Sequence, residues 1–244
     1  MSLFTLKKQK PFVGILSVVS LMIFSSSCSA HEIGGKSASD IFNDESIIST
    51  AISICDGGQS KAALSSSLKV NQSGLDGFTL LMWAMSCNNK VAVESLLDLE
   101  ADPNLSMKNG MTPIILASEN KDNFYLKTLL DHGGNASAGV GKGHTHSALG
   151  RSAKLGVYDN SWENFDALIA ADANIKSDNP LWPEYTIGEY LIEVYGAFCK
   201  VEELVETGKV PATQELKYTI DNMPSGSRKK SQACKDKLLK RFED

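Results

Sequence analysis

Three segments of this chain share one pattern at a fixed interval of thirty-three residues. "DGFTLLMWA" ends at Ala84, "NGMTPIILA" at Ala117 and "KGHTHSALG" at Gly150. A period of this length restricts the fold more than any other feature. It marks one supersecondary unit copied several times, and such units bury their apolar faces only by stacking. In register, Gly77, Gly110 and Gly143 align, as do Thr79, Thr112 and Thr145. Ala51, Ala84 and Ala117 continue the spacing, with Gly150 in the fourth place. The pairs Ala63-Leu64, Leu96-Leu97 and Leu129-Leu130 agree, and the units close in polar turns ending at Asn71, Asn104, Ser137 and Ile175.

Local chemistry says what each unit contains. A Thr ahead of a Pro such as Pro113 can cap the first turn of a helix, where Pro is tolerated. Ala84 and Ala117 are small enough for helices to approach closely. Val91, Val93, Leu96 and Leu97 recur at helical spacing and give a second helix an apolar face. With "GMTPIILA" and "LLDLEADPN" beside these positions, the pattern resembles the ankyrin repeat, whose unit is a β-turn, two antiparallel helices and a loop. The resemblance covers residues 44–178. It is weaker in the first unit, where "ESIISTAIS" lacks Gly and Thr, and in the fourth, where His146 replaces Pro. It implies an all-α solenoid of about four units.

The fourth unit is longer. Leu129-Leu130 to Leu168-Ile169 spans 39 residues, so about six extra lie within "KLGVYDNSWENFD", with Tyr158 and Trp162 among them. Long insertions often carry function, although Trp162 could equally fill a gap between helices. Residues 179–244 lose the period. After the turn-rich "NPLWPEY", the sequence predicts a helical C-terminal cap in which Tyr190, Leu191, Val194 and Tyr195 share an apolar face.

The N-terminus is an export-type leader. "MSLFTLKKQK" is basic, "PFVGILSVVSLMIF" is apolar but short for a bilayer span, and "SSSCSA" supplies small residues. Cleavage after Ala30 and lipidation of Cys28 are both open. Ser26 and Ser27 resemble the lipoprotein box, while Ser25 stands where Leu is usual. The reading adopted is a leader over 1–27 with Cys28 lipidated, placing the protein in the periplasm as a membrane-anchored lipoprotein. Residues 28–43 are then a linker. Setting Cys28 aside leaves four cysteines, an even number that suits an oxidising compartment. Cys55 falls one residue from the repeat equivalent of Cys87, so the two sit near matching ends of adjacent first helices. Cys199 and Cys234 would join two cap helices. The expected disulfides are therefore Cys55–Cys87 and Cys199–Cys234.

The chain carries a net charge of −5; losing Lys7, Lys8 and Lys10 with the leader leaves −8. With no basic stripe interleaved with aromatics, nucleic acid is not an expected partner. No Gly-x-Ser-x-Gly elbow, phosphate loop or zinc-type Cys pair occurs. His144-x-His146 is the best-spaced metal pair and lacks a third ligand, so no metal, cofactor or enzymatic activity is expected.

What remains is a protein-binding surface. In ankyrin proteins the turn tips and the exposed side of the first helices meet partners, and the residue after each turn Gly points into that groove. This implies a core of Phe78, Met111 and His144, beside Leu75, Asp76, Lys108, Asn109 and Lys142. Glu119, Asn120 and Ser152 would face the same groove, with Tyr158 and Trp162 on the insertion. Small exported bacterial ankyrin proteins are similar to immunity proteins that inhibit type VI-secreted phospholipase toxins, so such an effector is the expected partner. The alternative is an envelope scaffold or stress-protection protein without a toxin.

Overall fold

A computed structural model describes residues 32–57, 68–139, 143–177, 184–224 and 229–243. The leader, Cys28, Lys142 and the Ala63-Leu64 pair lie outside the described residues. The fold starts earlier than a linker reaching residue 43 would allow. β1 (Glu32–Ile33) and β2 (Lys36–Ser37) form an antiparallel hairpin over a Gly34-Gly35 turn. α1 (Ala38–Ile41) follows, opened by a Ser37/Asp40 capping box. Ile33, Ala38, Ile41 and Phe42 are buried, and the Phe42 ring meets Trp83 edge-on at 5.9 Å. Apolar residues at these four positions turn the expected linker into an N-terminal cover for the stack.

The units follow in order. α2 (Glu45–Cys55) begins the first, with Asp44 accepting from the Ser46 and Ile47 amides. α3 (Leu80–Ser86) and α4 (Lys90–Asp98) form the second, and α5 (Pro113–Ser118) and α6 (Phe124–Asp131) the third. α7 (Ala148–Asp159) and α8 (Glu163–Ala170) form the fourth. The C-terminal region continues the stack with two more pairs: α9 (Ile187–Tyr195) with α10 (Phe198–Glu206), and α11 (Gln214–Asn222) with α12 (Lys229–Lys240). First helices form one layer, in which α7 packs on α5 and α9, and α9 on α11. Second helices form the other, with α6 on α4 and α8, and α12 on α10.

Each first helix after α2 starts at a hydroxyl. Thr79 accepts from the Met82 amide, Thr112 from Ile115, Ser147 from Gly150, Thr186 from Gly188 and Thr213 from Leu216. The fourth unit therefore departs from the strict period. Its cap is Ser147, not Thr145, because His144–His146 form an extra 3-10 turn ahead of α7. The small-residue position five beyond the cap moves with it, from Gly150 to Ser152, which is fully buried as Ala84 and Ala117 are. Gly150 serves a different contact, since a Cβ there would run into the His144 carbonyl.

The six-residue insertion divides. Two residues enter the 3-10 turn, and four lengthen α7 by about one turn. The left-handed Asn88 lies nine residues past its cap, whereas the left-handed Asn160 lies thirteen past Ser147. Accordingly the extra length is helix, not a protruding loop.

Two sets of hydrogen bonds tie unit to unit. At the turns, Asn71 Nδ2 donates to the Glu100 carbonyl at 3.0 Å, and Asn104 Nδ2 to that of Gly133 at 3.0 Å. In return Asn71 Oδ1 accepts from Asp102 N, Asn104 Oδ1 from Asn135 N, and Ser137 Oγ from Asn174 N. At the opposite end, Asn89 Nδ2 donates to the Ile54 carbonyl (2.8 Å) and Tyr125 Oη to Asn88 Oδ1 (2.7 Å). Asn164 Nδ2 donates to the Asn120 carbonyl (2.6 Å). Side chains at the start of α4, α6 and α8 thus satisfy groups at the end of the first helix one unit back.

Both expected disulfides are present. Cys55–Cys87 joins α2 to the end of α3 with Cα atoms 5.1 Å apart, and Cys199–Cys234 joins α10 to α12 at 4.9 Å.

Candidate protein-binding surface

The turn tips do not present the expected row. Phe78 is 3% exposed, Met111 5% and His144 3%. The cause is the closeness of successive tips. Lys108 N donates to the Asp76 carbonyl at 2.7 Å, and a Cβ on Gly77 would sit 2.9 Å from the Ser106 carbonyl. With tips this tight, the residue after the glycine turns inward. The His144 ring rests on Tyr185 (6.2 Å) and Tyr190 (5.7 Å), while His146 is exposed, so the two do not form a shared ligand pair. Leu75, Asp76, Lys108 and Asn109 do reach solvent, with Lys108 Nζ 3.2 Å from Asp76 Oδ1. On the helices, Glu119 is exposed and pairs with Arg151 at 3.0 Å. Asn120 is half-buried and spends its carbonyl on Asn164; Ser152 is buried and bonds back to the Leu149 carbonyl.

Exposed large apolar side chains stand at the far ends of α7 and α9, and also at Ile52, Leu75, Val91 and Tyr218. The added turn of α7 carries Tyr158, 71% exposed, whose ring stands perpendicular to that of Tyr195 at 6.0 Å. Tyr195 in turn meets Tyr190 edge-on at 5.7 Å, their hydroxyls 3.4 Å apart. Val194 beside them is 52% exposed. An aromatic seam therefore runs from buried His144 through Tyr190 and Tyr195 to exposed Tyr158. Burial first, then contact with Glu193, pushes the Tyr185 phenol far above its ordinary value. Burial and the Tyr190 hydroxyl do the same for Tyr195. Both are neutral hydrogen-bonding phenols near neutral pH.

Against this geometry, residues 50–141 match the family description "Ankyrin repeats (3 copies)". Residues 50–141 carry ankyrin repeats. An ankyrin repeat-containing protein of Treponema pallidum (strain Nichols) is 38% identical over 58 residues, 24% of this chain and 20% of that protein. The match thus spans about a fifth of that relative's length. The solved ankyrin repeat protein EF0377 superposes with a TM-score of 0.55 over 83% of this chain and 98% of its own, at 18% identity, a likeness of fold alone.

Within this ankyrin stack Trp162 is a packing residue. It lies across Gly156, where a Cβ would strike the indole, and meets Phe165 edge-on at 5.4 Å. Lys200 Nζ sits 5.3 Å from its ring while bonding Asp166 (2.6 Å) and Glu203 (2.9 Å). The insertion therefore separates its two aromatics: Trp162 locks the fourth unit together, and Tyr158 faces solvent. Val194 and Tyr195 read in the sequence as interior of a cap helix. Val194 is exposed and Tyr195 half-buried, with the Tyr158 ring of the longer α7 against it. Among the described residues, no group of three His, Cys, Asp or Glu side chains could hold a metal ion.

Proposed function

We propose that this chain is an exported ankyrin-repeat protein that works by binding another protein, and specifically that it is an immunity protein inhibiting a type VI-secreted phospholipase. The ankyrin stack supports the coarser part: it is a scaffold whose helices and turns present an extended surface for a protein partner. The observation that supports export is the cysteine pattern; the immunity role rests on the resemblance to small exported bacterial ankyrin immunity proteins. Beneath an export-type leader, all four cysteines after Cys28 join in disulfides that bridge separate helices, an arrangement at home in an oxidising compartment.

In this reading the leader is removed ahead of Cys28, a lipid on Cys28 holds the protein at the membrane the toxin attacks, and inhibition is steric. The solenoid covers the effector's lipid entrance, and no catalytic group or cofactor is required of it. The test is co-expression in the periplasm of a sensitive host with a phospholipase effector encoded beside this gene. Protection of the host, with a complex that purifies intact, supports the proposal. Unabated killing with both proteins exported and folded refutes the immunity function. Palmitate labelling that is lost in Cys28→Ser tests the anchor separately.

A further inference from the structure

The ladder of hydrogen bonds along the turns is incomplete at one place. Asn71 and Asn104 each bridge to the next turn twice: the side-chain amide donates to one carbonyl, and the side-chain oxygen accepts from the backbone amide two residues further on. The next rung, thirty-three residues on, is Ser137. It keeps the acceptor half, taking the Asn174 amide at 2.9 Å. It has no amide to give the Asp172 carbonyl, which stands where those of Glu100 and Gly133 do. The rung after it, thirty-nine residues on, is Lys176, whose side chain cannot accept at all. A cleft lies at this break, between the segment that leads into α7 and the segment that leads into α9.

The lining decides what fits. Ser137, Asn174 and Lys176 bring a hydroxyl, an amide and an ammonium, His144 forms part of the wall, and Gly139 and Gly143 leave backbone without side chains. Asn174 Oδ1 is spent on the Lys176 amide at 3.0 Å, so its NH2 is the end left to donate. Ser137 accepts its one bond and can still donate its hydrogen. Among the described residues, none that lines the cleft is acidic. The space is that of about three water molecules, which suits one carboxylate group and is too small for an amino acid or a nucleotide. Lys176 Nζ already meets a carboxylate at the rim, that of Glu184 at 2.7 Å. Both of those side chains are more than half exposed, so the pair is weak and open to exchange.

We infer that this cleft is a carboxylate site, and that the carboxylate it takes is an Asp or Glu side chain of the protein partner. Ser137, Asn174 and Lys176 are exposed, so the mouth is open to a residue that stands out from a partner's surface. On a chain of net charge −5, a cleft of donors with no acidic lining is a place where an acidic residue is received, not repelled. This rests on the reading that the chain binds a protein, but not on that protein being a phospholipase.

The experiment follows backbone amides by NMR in protein purified from the periplasm with both disulfides formed. Sodium acetate replaces sodium chloride at constant ionic strength. The amides of Ser137, Gly139, Gly143 and Asn174 should shift together and saturate with a dissociation constant on the order of millimolar, as befits so small a ligand. Lys176→Ala should weaken binding about tenfold. Glu184→Gln, which releases the ammonium, should tighten it about two- to fivefold. Ser137→Asn should complete the ladder, so that binding is lost while the melting temperature rises by about 2–4 °C. Shifts that never saturate, indifference to both Lys176→Ala and Glu184→Gln, or binding retained in a folded Ser137→Asn each overturn the site. The source is read with the capped peptide acetyl-Gly-Glu-Gly-amide and its Gln counterpart. The Glu peptide alone should displace acetate. Acetate that binds while neither peptide competes overturns the assignment to a partner's side chain and makes the occupant a free small carboxylate. These readouts need no effector, so their failure is distinguishable from failure of the co-expression test.

Discussion

Replacing Cys199 and Cys234 together by Ser should unfasten the C-terminal end of the solenoid and leave the rest in place. The bond closes a loop of 35 residues between α10 and α12. Loop-closure entropy for that separation gives about 3.8 kcal/mol at 25 °C. Among the described side chains of α12 only Leu238 is fully buried. Beside it Leu239 and Phe242 pack part-buried against the core, Lys237 and Arg241 reach Glu202 at 2.7 and 3.0 Å, and Lys235 donates to the Met223 carbonyl. Because solenoid units couple mainly to their neighbours, the loss should be local. Hydrogen exchange is the direct assay. In the double variant the α12 amides should exchange orders of magnitude faster, α11 moderately faster, and α3 to α6 at the native rate. Urea unfolding should show an early transition with a small m value, followed by the main one. If α12 stays as protected without the bond as with it, side-chain packing suffices and the reasoning is wrong. If exchange rises equally everywhere, the stack unfolds as one cooperative body and its units are not separable.

Gly156→Ala should destabilise the protein by about 1–3 kcal/mol, because the new methyl must displace the Trp162 indole; a lower melting temperature with altered tryptophan emission would show it. Truncation after residue 178 removes α9 to α12 and uncovers the face of α7 that α9 covers, so aggregation is expected by light scattering; a soluble, equally stable fragment would make the last two pairs dispensable. Stability should also fall in acid. Asp122 is held below its ordinary value by its hydrogen bond from Lys90, and Asp40 and Asp44 by hydrogen bonds from Ser37 and Ser46. At Glu202 burial pushes upward, but Lys237 and Arg241 together outweigh it and leave the net direction downward. Carboxyls depressed by folding stabilise above their unfolded values, near 4, and lose that contribution as pH drops through the folded ones. Melting temperature should therefore hold from pH 7 to about 5 and decline below 4, and Glu202→Gln should flatten part of that decline.

The parts of the fold legible in sequence are those where one residue has one physical role. Thr79 and Thr112 cap helices, Asn71 and Asn104 bridge turns, and Ala84 and Ala117 let helices approach, so their spacing gives the repeat directly. The fourth unit misleads because its glycine, Gly143, keeps the period while the cap behind it slips two residues to Ser147. Counting from the glycine then assigns Ser152 to the groove when it belongs to the helix contact. The last two helix pairs lack the Gly-x-Thr signature yet keep the cap, as Thr186 and Thr213. A hydroxyl alone is too common to announce a repeat. Chain position places Phe78 and Met111 at a tip, but it does not say how close the next tip lies, and that closeness is what buries them. Tyr158 is legible because it lies in an insertion. Its neighbours Tyr195 and Val194 are not, since a helical apolar face looks the same whether covered or bare.

The hydrogen bonds from Asn89, Tyr125 and Asn164 give the solenoid a direction in time as well as in space. Asn89 and Asn164 take up carbonyls at helix ends made roughly 35 to 45 residues earlier in the chain, and Tyr125 bonds the Asn88 side chain just past another. At a synthesis rate of about 5–20 residues per second, a first helix waits roughly 2–9 s before the side chain that finishes it exists. A unit emerging from the ribosome, or from an export channel, is thus without these hydrogen bonds until its successor arrives. The α11–α12 pair escapes that wait. Lys235 of α12 donates to the Met223 carbonyl at the end of α11, so the helix end is satisfied from within the same pair. The last pair therefore needs no further unit to close it, and the Cys199–Cys234 bond ties it covalently to the pair before.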